Sequence, residues 1–221
     1  MVIIKGKTAM YLKTITLNHQ QIHLFDLQIS GIQRRCRRAI LDNELTDYFF
    51  DHDQISYIFH QAGHPAKLRL EPLMLQSITQ PKPVSKIDYH LAISYALPLA
   101  AVMWSDQPVA LDLCHISDFD GMSEQEISTF WELYFPNDRA TGLKHGTSSA
   151  ETLAKHWSAY EAKLKALGLP LQQYSPLLVE KFSQLTVVSQ VIEHGGKQFS
   201  LSMAAFITNL LAPYNQTPSA V

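Results

Sequence analysis

The sequence predicts an α+β fold, and three patterns carry that expectation. Apolar residues alternate at period two within residues 8–30, at Ile15, Leu17, Ile22, Leu24 and Leu27, and again at Val109, Leu111 and Leu113, as half-buried strands require. The spacing changes to three and four at Leu153, Trp157, Tyr160, Leu164 and Leu167, which draws the apolar stripe of a helix. Near the C-terminus, residues 185–192 and 199–207 flank His194-Gly195-Gly196, a hairpin signal.

The remaining elements follow in order. Residues 8–30 supply one or two strands. From 33 to about 50 the pattern turns helical and opens with Arg34-Arg35-Cys36-Arg37-Arg38, the basic cluster of the chain. Four arginines in five positions cannot share one helix face, so at least one or two are solvated; the others offer planar guanidinium forks suited to phosphate. Ile55, Tyr57 and Ile58 make a short apolar run, and Gly63-His64-Pro65 and Pro81-Lys82-Pro83 mark turns. Residues 91–104 are almost continuously apolar, as in a buried strand followed by a second strand or a short helix. A turn at Asp106-Gln107-Pro108 comes next, then a helix from Ser123 and Glu126 to about Tyr134, stopped by Phe135-Pro136. A polar loop over 137–149 leads into the last long helix, for which Ser148 and Glu151 read as a capping box and Gly168-Leu169-Pro170 as the stop.

Composition excludes several classes. At 221 residues, with 46% hydrophobic and 17% charged residues, the chain can bury one or two real cores. A net charge of −2 argues against nucleic acid, whose binding needs a basic surplus. The two cysteines, Cys36 and Cys114, are too few for a disulfide framework and lack metal-ligand spacing. No stretch reaches membrane-spanning length and the N-terminus lacks a signal-peptide core, so a cytoplasmic protein is expected.

Chemistry concentrates in two segments. Glu161 and Lys165 stand one turn apart beside the apolar stripe, so a carboxylate and an ammonium project together from an anchored helix. Asp112 lies opposite the Val109, Leu111, Leu113 face inside an apolar run, where an unpaired carboxylate is costly. It needs a cation, a metal or a helix terminus.

The segments Ala110-Leu111-Asp112-Leu113-Cys114 and Trp157-Ser158-Ala159-Tyr160-Glu161-Ala162-Lys163-Leu164-Lys165, with Tyr89-His90-Leu91-Ala92-Ile93-Ser94-Tyr95 before them, resemble the motifs of the 4′-phosphopantetheinyl transferase superfamily. The chain length is similar to that of the surfactin-synthetase type. That resemblance implies a monomer of two similar α+β halves related by a pseudo-twofold axis: residues 1–107 on the adenosine and phosphate side of coenzyme A, and 108–212 with the metal motifs. Residues 213–221 read as a disordered tail.

The activity implied is Mg²⁺-dependent transfer of the phosphopantetheine arm of coenzyme A to a serine of an acyl or peptidyl carrier protein, releasing adenosine 3′,5′-bisphosphate. The metal ligands would be Asp112 and Glu161, and Lys165 would hold a phosphate. Glu161 or a metal-bound water would take the serine proton. Coenzyme A would meet Arg38 (with Arg35 next), Lys82 or His64 at the glycine-lysine-proline position, Ser94 and Tyr95. Three positions depart from the family pattern: Cys114 replaces an acidic residue, Tyr160 a lysine and Tyr95 a histidine. The last two imply a less positive pocket and weaker coenzyme A binding, and a non-catalytic relative that binds a carrier protein or nucleotide stays open as the alternative. No role is assigned to His115 or His156.

Overall fold

Alternation builds strands where the sequence predicts them. The structure, a computed structural model, describes residues 10–27, 55–60, 66–72, 87–105, 107–136 and 149–207. Strands β1 (Met10–Leu17), β2 (Gln20–Asp26), β3 (Ile55–His60), β4 (Ala66–Pro72), β5 (Ile87–Ala96) and β6 (Leu99–Ser105) form one antiparallel sheet in the order β1-β2-β6-β5-β4-β3. A second antiparallel sheet, ordered β7-β9-β8, comprises β7 (Val109–His115), β8 (Leu185–His194) and β9 (Lys197–Phe206). The chain changes sheets between Ser105 and Val109. Of the two options open for residues 99–105, the strand is the one formed.

Side-chain alternation divides the second sheet into two unlike faces. Leu111 and Leu113 on β7, Leu201 and Met203 on β9 and Ile192 on β8 pack against Leu24, Ala92, Leu99, Ala101 and Met103 of the first sheet. This is the main core, and each fully buried large side chain in it contributes about 1.5–3 kcal/mol. The opposite face carries Ala110, Asp112 and Cys114 on β7 and Ser200, Ser202 and Ala204 on β9, paired Cys114↔Ser200, Asp112↔Ser202 and Ala110↔Ala204. Small side chains there let a helix approach closely.

Three α-helices occur among the described residues, α1 (Glu124–Tyr134), α2 (Ala150–Ala166) and α3 (Pro176–Phe182), beside a short 3₁₀ helix at Ile116–Phe119. The expected capping box opens α1: Ser123 N–H donates to Glu126 Oε2 at 2.8 Å, and Glu126 N–H to Ser123 Oγ at 3.3 Å. Helix α2 starts one residue later than expected. Its N-cap is Ser149, whose Oγ accepts the Thr152 N–H at 3.2 Å, and Ser148 lies outside the described residues. Gly168, at φ +66°, ends it as predicted.

Helix α3 was not foreseen. It has seven residues, too few for a periodicity, and its Pro176 sits in the first turn, where proline is tolerated. The β8–β9 hairpin turns through Gly195 and Gly196, at φ +58° and +71°, a geometry that suits a two-residue primed turn. His194 at that hairpin meets Asp26 of β2 at 2.8 Å and ties the two sheets together. The helix expected over 33–50, both proline turns, the 137–148 part of the polar loop and the tail fall outside the described residues. No described helix is long and apolar enough to cross a membrane.

Candidate active site

The site is assembled from β5, β7 and α2. On β7 the apolar residues bury one face and leave Asp112 on the other, 3% exposed, beneath α2. A carboxylate buried to that degree requires a partner. Lys165, from the last turn of α2, supplies it: Nζ lies 2.5 Å from Asp112 Oδ1 and 3.8 Å from a Glu161 carboxylate oxygen. The i,i+4 pair visible in the sequence is therefore the longer contact, because the deeper carboxylate has more need of the ammonium.

Ser94 joins them from β5. As β7 is an edge strand of its sheet, its outward N–H groups need acceptors from elsewhere. Ser94 Oγ accepts the Leu113 N–H at 2.9 Å, while its own hydroxyl reaches Asp112 Oδ1 at 3.4 Å and Lys165 Nζ lies 3.5 Å away. Replacing it strands a buried backbone donor. Ser94→Ala is expected to cost about 1–3 kcal/mol in urea unfolding.

Two carboxyls and one ammonium cannot all be satisfied at once, and Glu161 shows the consequence. Partial burial pushes its carboxyl up to about 7, the neighbouring Asp112 charge adds to the rise, and Lys165 opposes it. Such a pair of crowded carboxyls suits a divalent cation, which would relieve their repulsion. Asp112 and Glu161 are hard oxygen donors from different elements, a donor set that would suit Mg²⁺. Cys114 is not a third ligand. Burial, reinforced by the carboxylates around it, pushes its thiol up to about 12, and Sγ–H points to the Ala154 carbonyl at 3.5 Å. Among the described residues no group of three metal-ligating side chains occurs.

Residues 108–209 match the family model described as the 4′-phosphopantetheinyl transferase superfamily. Over those residues the chain is similar to that superfamily. No curated protein matches the chain. The matched segment contains Asp112, Glu161 and Lys165, and the chain before it contributes Ser94.

The substituted positions look different in place. Tyr160 is not in the cluster: it is 3% exposed, packs with Leu164 and Leu178, lies against Tyr134, Phe135 and Phe182, and donates its hydroxyl to the Gln172 carbonyl at 2.8 Å. The residue before Glu161 is turned about 100° around the helix from it, which here points into an aromatic core. The expectation that Tyr160 removes charge from the pocket is thereby corrected. Trp157, too, is an anchor, 5.1 Å from Tyr134 and 5.9 Å from Phe130 between ring centres. Tyr95 falls on the other face of β5 from Ser94, as strand alternation demands.

His115 is engaged elsewhere. Its Nε2–H donates to the Leu97 carbonyl at 2.7 Å and its ring leans on Phe199. His156 bonds through Nδ1 to the Thr152 carbonyl at 2.8 Å within its own helix. Arg35, Arg38, His64 and Lys82 lie outside the described residues. Sequence reasoning overlooked the serines where α2 meets the second sheet, namely Ser158 on the helix and Ser189, Ser200 and Ser202 on the strands. A signal existed, because Phe199, Leu201 and Met203 alternate with Ser200, Ser202 and Ala204, the mark of a strand with one face made for close helix packing.

Proposed function

We propose that the chain transfers the 4′-phosphopantetheine arm of coenzyme A to a serine of an acyl or peptidyl carrier protein in the cytoplasm, as a Mg²⁺-dependent monomer, releasing adenosine 3′,5′-bisphosphate. The supporting observation is the convergence of Asp112, Glu161 and Lys165 at the mouth of one helix–sheet seam, with Ser94 beside them.

Asp112 and Glu161 would hold Mg²⁺, which supplies charge neutralisation for a pyrophosphate and its leaving group. Lys165, 41% exposed, is free to swing from Asp112 toward a phosphate oxygen once the carboxylates have another counter-charge. Ser94 presents a hydroxyl at the same edge, and Arg38 and Lys82 are proposed for the adenosine and phosphate end of coenzyme A. In the transfer, the carrier serine oxygen bonds to the pantetheine-side phosphorus. The bond from that phosphorus to the bridging oxygen breaks, and this oxygen departs with adenosine 3′,5′-bisphosphate. Glu161 accepts the serine proton.

The test is incubation of the full chain with coenzyme A, Mg²⁺ and a panel of acyl and peptidyl carrier proteins, read by intact mass. A gain of one phosphopantetheine arm on a carrier, absent with chelator, is expected. Binding of a carrier or of coenzyme A with no transfer across the panel would instead establish the non-catalytic alternative.

A further inference from the structure

The seam between α2 and the second sheet contains a set of hydroxyls that touches none of the groups just assigned to the reaction. Ser158, on α2 three residues before Glu161 and seven before Lys165, is fully buried, as are Ser200 and Ser202 of β9. Ser158 Oγ lies 2.8 Å from Ser200 Oγ, 2.7 Å from Ser202 Oγ and 3.3 Å from the Lys155 carbonyl. Ser202 Oγ is 2.6 Å from Ser189 Oγ on β8. In the β7–β9 ladder Ser202 is the residue opposite Asp112.

At least one arrangement of the protons is consistent with these distances. Each hydroxyl has one proton and two acceptor positions. The carbonyl of Lys155 can only accept, so Ser158 spends its proton there and receives one each from Ser200 and Ser202; Ser202 in turn receives the proton of Ser189. Every member is paired, and Ser158 is the hub. Such a network tolerates one register of helix on sheet, since a slide or rotation of α2 strands buried hydroxyls. Apolar packing of alanines would not distinguish neighbouring registers so sharply.

We propose that Ser158 is a positioning residue for the transferase site, fixing the register of α2 on β9 so that Glu161 and Lys165 stand over Asp112. The role rests on the function proposed above. It acts through geometry alone: the hub joins the helix one turn from Glu161 to the strand residue directly beside Asp112.

The experiment compares the full-length chain with Ser158→Ala and with the combined Ser158→Ala, Ser200→Ala, Ser202→Ala variant. Three quantities are read: Mn²⁺ affinity by electron paramagnetic resonance of the free ion, transfer kinetics on a carrier that the unaltered chain modifies, and the thermal midpoint. Ser158→Ala is expected to weaken Mn²⁺ about tenfold and to lower kcat in step, because α2 no longer holds Glu161 over Asp112 and misplaced ligands cost affinity on that order. The combined variant, with no stranded hydroxyls, should regain much of the thermal midpoint but neither the Mn²⁺ affinity nor kcat. That separation distinguishes positioning from bulk stability. Mn²⁺ affinity and kcat unchanged in Ser158→Ala, or recovered together with the midpoint in the combined variant, would overturn the inference while leaving the function intact. Failure of the unaltered chain to bind Mn²⁺ and to transfer would remove the function and this inference with it.

Discussion

Asp112→Ala is expected to lower the proposed transfer by about a thousandfold or more, because a metal ligand, the role proposed for Asp112, is worth several kcal/mol of transition-state charge stabilisation and each 1.4 kcal/mol is tenfold. Asp112 is the most buried charged group of the site and the one that both Lys165 and Ser94 address. Its removal also frees Lys165 to pair with Glu161 alone, leaving a site with one carboxylate. Coenzyme A titration calorimetry with and without Mg²⁺ provides the companion measurement. The unaltered chain should bind more tightly with the metal, and Asp112→Ala should show no metal dependence. Metal-dependent binding that survives the substitution would move the cation away from β7.

Glu161→Gln is expected to lower the proposed transfer by about a hundredfold or more, the usual worth of a positioned proton acceptor, and yet to stabilise the metal-free fold at high pH. The folded chain holds the Glu161 proton up to about pH 7, against an ordinary value of 4.5, so the folded state binds that proton more tightly than the unfolded state. Below pH 4.5 both states carry the proton and nothing is lost. As pH rises from there the unfolded carboxyl ionises freely while the buried one resists, so stability declines until the folded carboxyl has ionised, above about pH 7. The glutamine variant escapes this loss. Its thermal midpoint should exceed that of the unaltered chain at pH 8 and match it near pH 4, and added Mg²⁺ should narrow the gap at pH 8. A midpoint lowered equally at both pH values would show that the carboxyl is not held in a strained ionisation. Opposite signs for activity and stability are expected of a site that crowds two acids together.

Much of the segment over residues 108–209 could be read along the chain, because its elements are specified locally. The capping box at Ser123 and Glu126, the stop at Gly168 and the hairpin glycines act within a few residues, and each is found where expected. Asp112 was legible as a carboxylate in need of a partner for a simple reason: strand alternation puts it opposite Leu111 and Leu113, and Lys165 is the partner it finds. The Glu161–Lys165 pair was legible as well, since four residues on a helix make one turn.

What the sequence determined by itself was the kind of fold and the side chains able to do chemistry, both of which follow from period and residue type. Which of them meet was decided by tertiary structure. Lys165 turns from its helical neighbour Glu161 to a carboxylate 53 positions away because the buried charge has the greater need. Tyr160 leaves the pocket for an aromatic core because α2 buries two faces, one against the second sheet and one against α1 and α3, and the sequence stripe marks only the latter. The serines beneath Asp112 gained their meaning only when β8, β9 and α2 came together, since a hydroxyl on a strand is ordinary until its neighbours remove it from water.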